Sequence, residues 1–153
     1  MGFSLLGLVI GLAILAPNTL LAIAPPRGGI PTVGSPGVVF TVFERLGQVG
    51  CLVLLAITPA SPSAWLIAVG AGIAAYWALW ARYVVRREFR WLYAPVLRIP
   101  IPMAVVPVLT FASAAAWLWS PWLALATLAL AVGHLATSWH VYREIAATSR
   151  SSP

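Results

Sequence analysis

Glu44, Gln48 and Cys51 recur at i, i+4 and i+7 within VFERLGQVGC, residues 42–51. That spacing sets an acid, an amide and a thiol on one helix face, with Gly47 and Gly50 leaving room beside it. Far along the chain His134 and Ser138 form a second i, i+4 pair, flanked by Thr137. A carboxylic acid and an imidazole can exchange protons near neutral pH, so Glu44 and His134 are the candidate catalytic residues, Glu44 as a general acid held by Gln48 and Asn18 and His134 as a base or as the group that orients the acid. The sequence shows no Cys/His spacing for zinc, no phosphate-cradling glycine loop and no nucleophile triad, so neither a metal nor a cofactor is expected. The single Cys51 has no partner for an internal disulfide.

Other polar and aromatic groups accompany the pair. Pro17 frees a carbonyl in the first apolar segment and Asn18 adds an amide, a combination suited to shaping a cavity as well as to an ordinary kink. Tyr76 and Tyr83 stand at i, i+7 on one helix face, and Trp77 lies two turns inside its segment. Asn18, Gln48, Tyr76, Trp77 and Ser138 are therefore the candidate substrate-binding residues. Arg45 points about 100° from Glu44 and either pairs with it or snorkels to headgroups.

These groups need elements to hold them. Of 153 residues, 61% are hydrophobic and 8% charged, with a mean hydropathy of +0.96, a composition that water would not tolerate on a soluble surface. Apolar segments at about 3–24, 38–58, 64–85, 100–119 and 122–142 each approach the ~20 residues that cross a hydrocarbon core. The expected fold is all-α: one polytopic transmembrane bundle of five spans, with a short cytoplasmic tail over 143–153. Breaks rich in proline and glycine separate the spans; Ser120-Pro121 is the tightest, and four spans with one long bent helix is the alternative. Segment 3–24 reads as a retained span, because it lacks a positive n-region and is too long for a signal peptide. Its Gly7 and Gly11 form a GxxxG suited to close helix packing.

All nine basic residues are arginine and all three acidic ones glutamate, for a net charge of +6. Arg27 falls in the first loop, Arg86, Arg87, Arg90 and Arg98 in the third, and Arg143 and Arg150 after the last span. The positive-inside rule then puts the N-terminus outside and the C-terminus in the cytoplasm of a bacterial inner membrane. The arginines flank apolar spans and form no basic arm, so nucleic acid is not an expected partner. Membrane lipid is. Trp65, Trp117, Trp119 and Trp122 read as an outer aromatic belt and Trp80, Trp91 and Trp139 as an inner one. Counted at 1.5 Å per residue from the cytoplasmic ends, Glu44 and Asn18 lie about 9 Å deep, His134 about 12 Å, Tyr76 about 14 Å and Gln48 about 15 Å. One polar layer in the cytoplasmic half is expected.

Pro17-Asn18, Glu44 with Gly47 and Cys51, and Gly133-His134 together resemble a group of small uncharacterised multi-span proteins of actinobacteria and Firmicutes, a likeness that implies no established activity. A small bundle with an intramembrane acid and many aromatics also resembles, in architecture, the integral-membrane terpene cyclases. That likeness implies protonation-initiated cyclisation or isomerisation of a prenyl or other lipid substrate, with Glu88 or His134 replacing a second acidic residue. Three functions stay open on this reading. One is such an enzyme; the second is a small transporter or channel using Glu44 and His134, with a homo-oligomer supplying the symmetry that one chain lacks; the third is a structural subunit, in which the polar layer merely locks the bundle.

Overall fold

Runs of about twenty apolar residues between proline-glycine breaks fold into helices in a computed structural model that describes residues 2–151, with side chains described through residue 148. Helix α1 (Leu5–Leu15) passes through a 3-10 turn (Ala16–Thr19) into the single turn α2 (Leu20–Ile23). Then come α3 (Val38–Ile57), α4 (Trp65–Arg86), a second 3-10 turn (Phe89–Leu92), α5 (Pro102–Trp117) and α6 (Pro121–Ser151). Among the described residues there is no strand, only an isolated bridge between Val96 and Ile99. The side chain of Arg150, and residues 152 and 153 of the expected tail, lie outside the described residues.

Four helical segments are long and apolar enough to cross a membrane: Leu5–Ile23, Val38–Ile57, Trp65–Arg86 and Pro121–Thr148. The expected fifth span is shorter. Helix α5 has 16 residues, about 24 Å of rise against a hydrocarbon core of about 30 Å. Leu118 to Ser120 turn the chain sharply, with Trp119 at φ 47°, so α5 and α6 are two helices and not one bent helix. The last helix in turn continues beyond residue 142, as far as Ser151.

The apolar side chains face outward as well as inward. Leu46, Val49, Ile67 and Leu128 are each more than 60% exposed, an apolar outer surface of the kind that faces lipid or a partner chain. Inside, α3 packs between α1 and α6, and α5 between α4 and α6. Residues without side chains set these approaches. A Cβ on Gly7 or Gly11 would run into α3 at Leu55 or Leu52, so the GxxxG serves packing within the chain. Ile14, Cys51, Leu55, Val69, Phe111 and Leu123 fill the core between the helices.

Hydrogen bonds show which loops share an end. Arg27 N–H donates to the Arg87 carbonyl (2.8 Å) and Gly34 N–H to the Glu144 carboxylate (3.2 Å), which ties the first loop to the third loop and to α6. At the opposite end Gly2 and Ser4 N–H donate to the last turn of α3, and the Trp117 indole donates to the Ser61 carbonyl. The arginine-bearing loops thus gather at one end, as their spacing in the sequence implied. The tryptophans only partly follow the expected belts. Trp65, Trp119, Trp122 and Trp139 are exposed, but Trp80 and Trp117 are buried in the bundle, where ring packing outweighs an interfacial position.

Candidate functional site

The contact between α3 and α6 is made by two glycines. A Cβ on Gly47 would overlap the Leu130 backbone, and one on Gly133 would overlap the backbone of Glu44. With both absent, the two helices approach closely enough for short side chains to meet. Gly133 immediately precedes His134, so the same approach brings the imidazole to the acid: His134 Nδ1 lies 2.7 Å from Glu44 Oε1. With the carboxylate ionised, Nδ1–H donates. That bond leaves Nε2 to carry the lone pair of a neutral ring or the second proton of an imidazolium. Among the described residues no side chain hydrogen-bonds Nε2.

A cleft of about 350 Å³ opens at this pair. Glu44, His134, Asn18, Gln48, Tyr76 and Ser138 all line it, so six of the seven candidate site residues stand around one space. The polar layer expected from residue depths is therefore one cavity wall. Its internal bonding differs from expectation. Glu44 is held by His134, with Thr137 and Arg45 acting on it more weakly, and not by Asn18 or Gln48; Asn18 Oδ1 instead accepts from the Tyr76 hydroxyl at 2.7 Å. Gln48 makes no side-chain hydrogen bond among the described residues. Cys51, one turn further along the Glu44 face, is fully buried below the cleft, 3.6 Å from Thr127 Oγ1.

Trp77 is the residue that the cleft does not include. Its ring is 44% exposed, and Nε1–H donates to the Ala13 carbonyl at 3.0 Å. Ala13 lies four residues before Pro17, whose missing N–H leaves that carbonyl without a helical donor. The kink at the 3-10 turn is thus closed from a neighbouring helix, and Trp77 has a structural role in place of the expected substrate contact.

Trp80 and Tyr93 take its place as lining aromatics. Trp80 stands edge-to-face between Tyr76 (6.4 Å) and Tyr83 (5.6 Å), a geometry that favours the aromatic quadrupoles. Its position one turn after Tyr76 was a readable signal; the belt explanation for tryptophan masked it. Tyr93 comes from the third loop and carries no periodicity that could have marked it. Burial and the nearby Glu44 carboxylate push its phenol up to about 12, so at neutral pH it keeps its proton.

That loop is fixed to the bundle. The Arg82 guanidinium donates to the carbonyls of Trp91 (3.1 Å) and Ala94 (3.0 Å), and Arg82, Arg86 and Arg90 surround the Trp91 ring at 5.0–6.0 Å. Glu88 is paired with Arg90 at 2.6 Å and does not line the cleft, which leaves His134 as the second proton-active group beside Glu44. Arg45 lines the cleft without an ion pair to Glu44 and is exposed. Among the described residues no group of three or more His, Cys, Asp and Glu side chains is arranged to hold a metal ion.

No family model, curated protein or solved structure matches this chain. The resemblances drawn from its short motifs gain no support from these comparisons, and any functional reading rests on the cleft.

Proposed function

We propose that the chain is an integral membrane enzyme that transfers a proton to and from a lipophilic substrate at the Glu44–His134 pair. The observation that carries this reading is the 2.7 Å contact between Nδ1 and Oε1 at the wall of a cleft of about 350 Å³. A purely structural pair would serve equally well sealed in the core, whereas this one borders a space of ligand size. The arginine-rich end lies in the cytoplasm by the positive-inside rule, so the substrate enters from the cytoplasmic leaflet of the bacterial inner membrane.

Glu44 fixes the ring orientation and stabilises the imidazolium, and His134 delivers its Nε2 proton. An acid of imidazolium strength suits an oxygen-activated group better than an isolated alkene, which favours an epoxide or a carbonyl-conjugated double bond on a prenyl-type chain. Protonation of an epoxide oxygen breaks one carbon–oxygen bond, and a neighbouring double bond then supplies the electron pair for a new carbon–carbon bond. Loss of a proton from carbon to the neutral imidazole regenerates the pair. The faces of Tyr76, Trp80 and Tyr93 stabilise positive charge during this step. The reaction is an isomerisation or cyclisation and needs no added reductant or oxidant.

The test compares lipophilic molecules that co-purify with the wild-type chain and with Glu44→Gln in mild detergent, read by untargeted mass spectrometry. A species enriched in the variant is trapped substrate. When supplied to wild-type protein it should be consumed, with turnover lower by about 10²–10⁴-fold in Glu44→Gln. Equal turnover in the two proteins, or no specific molecule in either, sinks the proposal.

A further inference from the structure

The chain has three acidic side chains, and each already has a partner. Glu44 meets His134, Glu88 meets Arg90, and Glu144 meets His140 (3.0 Å) and the Gly34 N–H. Arg45 has none. It lines the cleft directly after Glu44 in sequence, is exposed, and makes no hydrogen bond or ion pair among the described residues. A guanidinium always carries its charge and presents a planar fork of donors that fits phosphate or carboxylate oxygens. Within an apolar span such a group calls for an anion. No side chain among the described residues pairs with it at hydrogen-bond distance, which leaves the guanidinium open to an anion from a lipid headgroup or a ligand.

The surroundings strengthen the case. Tyr93 lines both this cleft and a second one of about 300 Å³ bordered by Arg90, Trp91, Tyr142 and Ile145. Net charge at this end is strongly positive and no unpaired acid side chain opposes it. An apolar body with one anionic end matches the distribution of groups: aromatic wall, proton-active pair, cation at the open side. We infer that the cleft selects an amphiphile with a phosphate-type anionic head, held by Arg45, and that Arg45 is its specificity-determining residue. This inference rests on the reading of the cleft as a substrate site and adds the class of molecule that it takes.

The experiment uses the full chain in an uncharged maltoside detergent and compares binding of dodecyl phosphate, dodecanol and inorganic phosphate by native mass spectrometry. Dodecyl phosphate should bind about tenfold or more tightly than dodecanol, the order expected for a charge-assisted contact. Arg45→Gln should abolish that preference, Arg45→Lys should keep part of it, and Glu44→Gln should retain it. Equal affinity for the phosphate and the alcohol overturns the inference. So does a preference unchanged in Arg45→Gln, or one lost through Arg90→Gln and not through Arg45→Gln. Displacement of dodecyl phosphate by inorganic phosphate at equal concentration also overturns it, because the site would then bind a free anion with no use for the chain. A preference lost in Arg45→Gln, combined with full turnover in Glu44→Gln, would retain the head assignment and discard the acid chemistry. The reverse pair of results would discard the head assignment alone.

Discussion

The indole of Trp77 donates to the carbonyl of Ala13 at 3.0 Å, and Ala13 is the residue whose helical donor Pro17 removes. One helix thus satisfies the backbone group that a proline exposes in another. Trp77→Phe, which keeps a smaller aromatic ring and loses the N–H, should destabilise the protein by about 1 kcal/mol or more. Pro17→Ala restores a backbone donor to Ala13, and in that background Trp77→Phe should have little effect. Thermal unfolding of the four proteins of this cycle in detergent is the check; additive losses would show that the indole does not act through Ala13.

Gly133 and His134 are neighbours in sequence, and the first makes the second reachable for Glu44. Gly133→Ala forces the α3 and α6 backbones apart, which should cost about 1–3 kcal/mol as overpacking does elsewhere, and should reduce turnover by separating the pair. Gly70 is the control. A Cβ there meets nothing within 4 Å, and in a helix interior alanine is favoured over glycine by about 1 kcal/mol. Gly70→Ala should therefore be neutral or stabilising, with turnover retained. Unfolding curves and activity for both variants decide; equal effects of the two would remove the claim that the Gly133 approach positions the site.

Cys51 is fully buried, so a new surface cysteine is the only one a membrane-impermeant maleimide should reach. With the arginine-rich end in the cytoplasm, Leu97→Cys (91% exposed in the wild type) should react only after the cells are permeabilised. Ser61→Cys, at the other end, should react in intact cells. The opposite pattern would invert the orientation and move the entrance to the outer leaflet.

How much of this could be read from the sequence varies with the physics behind each signal. Apolar runs between proline-glycine breaks marked the helices, because helix formation in lipid follows local hydropathy. Depth along each span was enough to group Asn18, Glu44, Gln48, Tyr76 and His134, since rise per residue is fixed by helix geometry. Which of those groups pair was not legible. The match of Tyr76 with Asn18, and of Glu44 with His134, depends on how the helices rotate about their axes, and for the second pair Gly47 and Gly133 set that rotation through packing between distant segments. Tyr93 escaped because a loop residue has no period. The bond of Trp77 was not legible because its neighbour in space, Ala13, is ordinary in sequence; only the lost N–H of Pro17 four residues later makes it special.

Helix α5 is short, and it begins at Pro102 beside Ile101, Met103 and Ala104, all of which line the cleft. A rise of about 24 Å does not match a bilayer core of about 30 Å, and a mismatch of this size is met by local thinning or by drawing the headgroup plane toward the helix end. On the proposed reading, lipid next to α5 would thin to match the short helix, and a substrate diffusing in that leaflet would reach the wall of the cleft with its polar end still close to water.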